Sequence, residues 1–307
     1  MALTLELAPY RLKAARPIPV GASRIDAREG LWIRVTLGDR SALGDVAPLP
    51  GLSSESLGEA RAALLAWASR KPSTLTEGRD ALRDMLVPSA SWAIGSALDE
   101  LGEPERALEV STAALIEDAN EVESARRAGF AIVKLKVGPG EVARASELAS
   151  RLQGSEALRL DGNRRLSLND CTELALAVGP RLDFFEEPVP PHLLDDAIAR
   201  VPLALDESLA REAPRPGAVA WVVKPTILGH ARAEELAAEG VGRGIRLIVS
   251  SAFESPIGRA QLTRFAARWA PHETHGLGTA AWLGEELRPI ARPSSSKLTS
   301  AQWERLG

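Results

Sequence analysis

The stretch Ala131-Ile-Val-Lys-Leu-Lys-Val137 decides the reading of the fold. It is a short β-rich run in which Lys134 and Lys136 stand two residues apart and so share one face, while Val133, Leu135 and Val137 share the other. If the apolar face packs against helices, the lysines point to the interior of a barrel. A lysine there must reach the barrel mouth or carry an uncompensated charge, which is costly.

The same kind of unit recurs along the chain from about Leu108. Strands are expected near Glu109–Ile116, Ala131–Val137, Ala157–Asp161, Leu182–Glu186, Leu203–Asp206, Ala220–Lys224, Ile245–Ser251 and His272–Leu277. Between them lie amphipathic stretches such as Glu141–Leu152 and Leu168–Val178. The latter follows Ser167-Leu-Asn-Asp170, the pattern of a capping box. Eight strand–helix alternations, spaced at roughly 20–25 residues, point to a parallel barrel. An open doubly wound sheet is the competing architecture. Neither G-x-G-x-x-G nor G-x-x-x-x-G-K-[ST] occurs, so no nucleotide loop is indicated.

The residues before this series read as a smaller α+β unit. Leu31-Trp-Ile-Arg-Val-Thr-Leu37 is β-rich, Pro48-Leu-Pro-Gly51 is a rigid loop, and Ser54–Arg70 and Ser91–Leu101 carry leucines at helical spacing. The prolines of the loop after the first-domain strand fix its approach, so Pro48–Ser54 is expected to cover the barrel mouth and exclude water.

In such a barrel, polar residues at the carboxyl ends of strands are the functional candidates. Successive strands here end Val133-Lys-Leu-Lys-Val137, Leu160-Asp-Gly-Asn163, Phe184-Phe-Glu-Glu-Pro188, Ala204-Leu-Asp-Glu-Ser208, Val222-Val-Lys-Pro-Thr226 and Val249-Ser-Ser-Ala-Phe-Glu254. Asp161, Glu186 and Asp206 lie on three neighbouring strands. Three carboxylates at one mouth repel and raise one another's pKa values, and a hard divalent cation such as Mg²⁺ relieves that conflict. Any one of these acids alone reads as well as a helix cap or an arginine partner. Lys224 approaches from across the barrel. A lysine titrates ordinarily at about 10.4; a second ammonium and a nearby metal disfavour its charged form, so Lys136 can act as a base near neutral pH. The alternative is that the lysines only pair with the acids.

A base beside a metal held by carboxylates suits removal of a weakly acidic proton next to a carboxylate, where the developing charge needs Lewis-acid stabilisation. No Ser-His-Asp arrangement or zinc cluster competes, and His192, His230, His272 and His275 lack H-E-x-x-H spacing.

Composition narrows the classes further. The chain has 307 residues, 45% hydrophobic and 25% charged, with a formal net charge of -4 and no basic patch, which argues against nucleic acid. Its one cysteine, Cys171, excludes an internal disulfide framework and reads as a small buried residue. No apolar run reaches the roughly 18 residues of a membrane span. The first residues, Met1 to Lys13, lack the features of a signal peptide, which makes the cytoplasm the expected location.

At the strand-end residues the chain resembles the enolase superfamily, and within it the o-succinylbenzoate synthase family, the dehydratases of menaquinone biosynthesis. The likeness runs through Gly44-Asp-Val-Ala-Pro-Leu-Pro-Gly-Leu-Ser-Ser-Glu55, the Lys134-x-Lys136 pair, Arg159-Leu-Asp-Gly-Asn163, Glu186-Glu-Pro188, Asp206-Glu-Ser208, Lys224-Pro-Thr226 and Ser250-Ser-Ala-Phe-Glu-Ser255. It implies an α/β fold, a (β/α)7β modified TIM barrel over about residues 106–284, under an α+β capping domain of residues 1–105 to which residues 285–307 return. It implies Asp161, Glu186 and Asp206 as ligands of Mg²⁺, with Mn²⁺ able to substitute, Lys136 as base and Lys224 as the opposing cation. Lys134 would stand beside the base, Asn163 near metal and substrate, Ser250 and Ser251 near a succinyl carboxylate, with Arg159 also toward the substrate. Glu187 and Glu207 would point to the other side of their strands. Gly162 stands where that family commonly has alanine, a small change. A small-molecule substrate is implied, with no nucleic acid or membrane partner, and a monomer is compatible. The same lysine pair serves N-acylamino acid racemases, dipeptide epimerases and muconate cycloisomerases. The epimerases carry Asp-x-Asp on the last strand, which His275-Gly-Leu-Gly-Thr279 lacks. A non-catalytic binding protein would not need this residue set.

Overall fold

In the computed structural model, which describes residues 2–20, 23–103, 108–285, 288–291 and 303–306, two sheets organise the chain. The first is antiparallel. It contains β1 (Thr4–Val20), β2 (Ser23–Leu37) and β3 (Arg40–Val46), joined at its outer edge by a short C-terminal strand, Glu304–Leu306, which pairs with Leu5–Leu7 of β1. Alternation sets its inner face: Leu5, Leu7, Leu31, Ile33 and Val35 are buried. They pack on α1 (Leu57–Ser69) and α3 (Pro88–Gly102), through Leu64, Trp67, Ile94 and Leu98. Helix α1 starts at a capping box in which Ser56 and Glu59 satisfy each other's backbone amides. The short α2 (Leu75–Asp80) lies between them. Segment 292–302 of the expected returning C-terminus, and the expected boundary near residue 105, lie outside the described residues.

β1 has no counterpart among the strands the sequence suggested, and it carries Pro9, Pro17 and Pro19, a residue type that weakens a strand pattern. The structure shows why they are tolerated. Among the described residues the C-terminal strand pairs only with Leu5–Leu7, which leaves β1 from Pro9 onward without a partner on that side, and Pro17 falls within the register shift between Lys13 and Ile18.

The second sheet is the barrel. Its parallel strands are β4 (Val110–Ile116), β5 (Ile132–Lys136), β6 (Ala157–Asp161), β7 (Leu182–Glu186), β8 (Leu203–Leu205), β9 (Ala220–Val223), β10 (Arg246–Val249) and β11 (Thr274–Gly278). They neighbour one another in chain order from β4 to β10, and β11 returns to β4. A parallel bridge between Ser250 and Gly276 joins β10 to β11 and closes the ring, which excludes the open sheet. Outside run α4 (Glu121–Arg127), α5 (Val142–Arg151), α6 (Leu168–Val178), α7 (Leu194–Ile198), α8 (Pro225–Leu228), α9 (His230–Gly242) and α10 (Pro256–Trp269). Ser167 and Asp170 form the capping box of α6, and Cys171 is buried in that helix, its thiol pushed up to about 12 by burial.

The strand–helix alternation is not uniform. After β8 the chain makes only a 3-10 turn, Glu207–Ala210, before β9. Arg211-Glu-Ala-Pro-Arg-Pro-Gly217 fills the interval, and its prolines cannot supply the amides of a helix. The barrel interior is filled by Phe184, Ala204, Ala220, Val222 and Ile248. It is floored by ion pairs of Arg159 and Arg246 with Asp183, and of Arg246 with Glu273.

His275 reinforces the closing seam. The Val249 amide donates to His275 Nδ1 at 3.0 Å, and Nε2 lies 3.0 Å from the Ala270 carbonyl, so the neutral ring carries its proton on Nε2. Burial depresses its pKa to about 4, below the ordinary 6.5. The unfolded chain therefore binds a proton that the folded chain refuses. This contribution to stability is complete above pH 6.5 and is lost as the pH falls toward 4. Urea denaturation should show wild-type stability dropping by roughly 1 kcal/mol more than that of His275→Gln between pH 7 and 5.5. Parallel pH profiles for the two proteins would contradict the assignment.

Candidate active site

Parallel register brings the strand-end residues into one ring. Lys134 pairs with Arg159 and Lys136 with Asp161 across β5 and β6; Asp161 in turn pairs with Glu186, and Glu186 with Ala204 of β8. The inward face of each strand thus delivers one charged side chain to the same level. Asp161, Glu186 and Asp206 are all buried. Lys134 Nζ lies 2.7 Å from both oxygens of Glu186 and 2.9 Å from Asp161. Lys224 hydrogen-bonds Asp206 and stands 3.7 Å from Glu186. Lys136 is held more loosely: it donates to Asn163 Oδ1 at 3.1 Å, and Asp161 lies at 3.5 Å. Its side chain is 35% exposed, against 13% and 14% for Lys134 and Lys224, so it is the lysine of the three most open to the cavity.

The electrostatics divide the acids. Burial raises Glu186, with Asp161 and Asp206 adding to the rise, and burial also raises Asp206. Asp161 goes the other way. Burial would raise it, but Lys134, Lys136 and Lys224 outweigh that and hold it below the carboxylate range. Mutual repulsion was the expectation for all three; the surrounding ammonium groups reverse it for one. Burial pulls Lys134 and Lys224 down, yet their acid partners outweigh it and keep both above the ordinary lysine value.

Around this ring lies a cavity of about 210 Å³. Lys134, Lys136, Arg159, Asp161, Asn163, Glu186, Lys224, Ser250 and Ser251 line it, whereas Asp206 sits behind Lys224 and is not part of the wall. Phe184, Val222 and Ile248 give it an apolar base, and Pro19, Val20, Leu49, Gly51 and Leu52 of the first domain form its roof. The loop after β3 thus covers the mouth. Pro19 and Val20 had no signal in the sequence, because only the β1–β2 hairpin's length carries them there.

Individual residues refine the picture. The Ser251 hydroxyl is committed to Glu254 at 2.6 Å and Thr279 at 2.9 Å, while among the described residues the Ser250 hydroxyl has no protein partner. Arg159 donates to Asp183 and to the Thr274 carbonyl, and among the described residues its buried Nη2, beside the Phe184 ring, has no hydrogen-bond partner. Glu187 turns away from the cavity and accepts from the amides of Asp206 and Ser208 and from Arg164. Glu207 does not turn away as expected. It lines the cavity, 3.4 Å from Asn163 Nδ2, because the 3-10 turn replaces a regular strand exit.

The donor set fits a hard divalent cation. It consists of carboxylate oxygens without histidine or cysteine, two buried ammonium groups supply positive charge there, and the buried Glu207 Oε2 lacks a hydrogen bond. As they stand, the ligand oxygens of the three carboxylates do not all fall within 4.8 Å of one another, although Glu186 and Asp206 are close enough to share a hydrogen bond. The described acid–histidine group whose ligand atoms do fall within 4.8 Å is Asp99, His230 and Glu234, and Arg79 and Arg268 already pair with its acids.

Comparison with known proteins adds an independent line. The chain matches the family model "Enolase C-terminal domain-like" over residues 117–267 and "MenC, N-terminal domain" over residues 4–101. It is 34% identical over 286 residues to the o-succinylbenzoate synthase of Klebsiella pneumoniae (strain 342), covering 86% of this chain and 87% of that one. It is 32% identical over 300 residues to that of Haemophilus influenzae, covering 89% and 91%. Among solved structures, the o-succinylbenzoate synthase of Thermosynechococcus elongatus BP-1, complexed with Mg in its active site, superposes with a TM-score of 0.76 at 22% identity, covering 93% and 96%. A dipeptide epimerase from Cytophaga hutchinsonii, complexed with Mg and D-Ala-L-Val, gives 0.83 at 16% identity with both chains fully covered. At these identities the two structures establish a shared fold.

Gly162 is less replaceable than its motif suggested. A Cβ there would lie 2.5 Å from Pro188 Cα and 3.0 Å from the Pro188 carbonyl, in the loop that leaves Glu186. Gly162→Ala must displace that loop and should cost about 1–3 kcal/mol, the usual range for overpacking. Thermal melts read this directly; a variant as stable as wild type would show that the Pro188 loop yields freely.

Proposed function

The chain belongs to the o-succinylbenzoate synthase family of the enolase superfamily, and we propose that it dehydrates 2-succinyl-6-hydroxy-2,4-cyclohexadiene-1-carboxylate to 2-succinylbenzoate in menaquinone biosynthesis. The observation that carries this reading is the ring of Asp161, Glu186 and Asp206 with Lys134, Lys136 and Lys224 at consecutive strand ends, beside a roofed cavity.

Asp161, Glu186 and Asp206 would hold Mg²⁺, with Mn²⁺ as a substitute. When bound, the cation supplies Lewis-acid stabilisation for charge on the substrate carboxylate. Lys136 is the base. It is the lysine least enclosed by carboxylates, and the Asn163 side chain orients its ammonium nitrogen. It takes the proton next to the carboxylate, and the resulting ammonium returns it to the departing β-hydroxyl on the same face. The C–O bond breaks, water leaves and the ring becomes aromatic. One base thus serves both half-steps. Lys224, fixed against Asp206, stays an ammonium and stabilises developing negative charge from the opposite side. Lys134 keeps Asp161 and Glu186 in place. Ser250, with its hydroxyl uncommitted, and the unpaired Arg159 Nη2 are donors for the substrate's polar groups. Ser251 contributes through the backbone it holds. The roof formed by residues 49–52 excludes water from the reacting face. A cytoplasmic location belongs to the same reading; among the described residues no helix is long and apolar enough to cross a membrane.

A racemase on the same scaffold would need Lys224 as a second base. The absence of Asp-x-Asp from His275-Gly-Leu-Gly-Thr279 favours the dehydratase over a dipeptide epimerase.

Two measurements test the assignment. Lys136→Ala should fold, bind Mg²⁺ by calorimetry as wild type does, and lose turnover by about 10²–10⁴-fold; retention of more than about a tenth of the rate would move the base elsewhere, with Lys134 next in line. Chelation should abolish dehydration and added Mg²⁺ restore it, while Asp206→Ala should bind the cation at least about tenfold more weakly. Exchange of the α-proton of N-acylamino acids in D₂O from both enantiomers, without dehydration of the cyclohexadiene, would replace this function with racemisation.

A further inference from the structure

Arg28 is 1% exposed, and every hydrogen bond of its guanidinium leaves its own sheet. On β2, opposite Leu12 of β1, it sends Nη2 to the Ala47 carbonyl at 2.6 Å and Nη1 to the Pro48 carbonyl at 2.9 Å. Nε donates to the Phe253 carbonyl at 3.1 Å. The first two acceptors begin the loop whose Leu49, Gly51 and Leu52 roof the cavity; the third lies in the barrel loop whose Ser251, Ala252 and Phe253 form its side wall.

Phe253 has φ +61, a conformation that a bulky residue adopts only when its surroundings impose it. A planar fork of donors can hold three carbonyls from two loops in one fixed arrangement; an ammonium on a flexible stem cannot. The neighbouring Asp45 repeats the pattern. Its buried carboxylate accepts from Tyr10 Oη at 2.7 Å and from the Ser255 amide at 2.9 Å, tying β3 to the end of the same barrel loop.

We propose that Arg28 is a positioning residue that couples the roof loop, residues 47–54, to the wall loop, residues 251–255, so that the two close on the substrate as one unit. Among the described residues all three guanidinium hydrogen bonds go to these two segments and none to its own sheet, which filling the core would not require. For catalysis this rests on the dehydratase reading; the coupling itself does not. With the two walls locked, the substrate meets Lys136 and Lys224 in a single geometry. With them unlocked, the substrate must order both loops as it binds, so its affinity falls while the chemical step is largely kept.

The test uses Arg28→Lys and Arg28→Gln. In variants that melt cooperatively, amide exchange in residues 47–54 and 251–255 should accelerate together by about tenfold or more, with the barrel strands unchanged. In steady-state dehydration, KM should rise about tenfold with kcat within about threefold, and Arg28→Lys should recover part of the loss. Exchange that rises evenly along the chain, or in one loop without the other, overturns the proposal, as does an unchanged KM in a folded variant. If neither variant folds, native-state exchange of the wild-type protein in sub-denaturing urea decides: the two loops must open in one cooperative step, and separate openings refute the coupling. The exchange measurements need no substrate, so a protein that proves inactive on the cyclohexadiene overturns the functional reading while leaving the coupling to be judged on its own.

Discussion

The structure turns on the enclosure of charge at the barrel mouth. Asp161, Glu186 and Asp206 are removed from water, and each is satisfied by a lysine from another strand: Lys134 bridges the first two, Lys224 the last two. An isolated charge at such depth would be costly, so neutralising any one of these side chains leaves its partner's charge less compensated. The consequence reaches the backbone. Positions two apart on β5 must face inward together, β6 and β7 must hold their register, and β8 must deliver Asp206 at the same level. The barrel's closure, its hydrophobic jacket and its floor of ion pairs keep those levels aligned.

Charge enclosure also explains why three chemically similar lysines have different prospects. Two are clamped between carboxylates and remain ammonium groups. Lys136, displaced toward the cavity and steadied by an amide oxygen, has among the described residues one carboxylate, Asp161, at longer range. The division follows from geometry alone, since residue type and spacing are the same for Lys134 and Lys136. Glu207 shows the reverse case. Its position beside a ring carboxylate suggested an outward side chain, but the 3-10 turn at Glu207–Ala210 rotates it into the cavity wall.

Among the described residues the first domain contributes no charge to the ring; it contributes enclosure. The long β1–β2 hairpin carries Pro19 and Val20 over the mouth, and the loop after β3 brings Leu49 and Leu52. Arg28 and Asp45 anchor these segments to the barrel through buried hydrogen bonds to backbone groups. Both sheets therefore build one cavity, with the chemistry on one side and the water barrier on the other.

The sequence by itself determined the barrel and its charged ring. Inward-facing lysines at Lys134 and Lys136, and acids after apolar runs at Asp161, Glu186 and Asp206, are local patterns: strand periodicity and strand-end position are properties of a few consecutive residues. It determined the α6 cap at Ser167 and Asp170 for the same reason. The tertiary structure alone decided closure of the ring through Ser250, Gly276 and His275, which join segments that no local pattern relates. It decided that β1 is a strand despite its prolines, because an edge without a partner does not need their missing amides. It decided the intolerance at Gly162, where the obstacle is Pro188 in the loop after the neighbouring strand. It also decided the part played by Arg28, whose partners at Phe253, Ala47 and Pro48 meet only when two domains pack. Residues acting through their own strand are legible in one dimension; residues acting through contacts between distant segments become legible only once the chain has closed on itself.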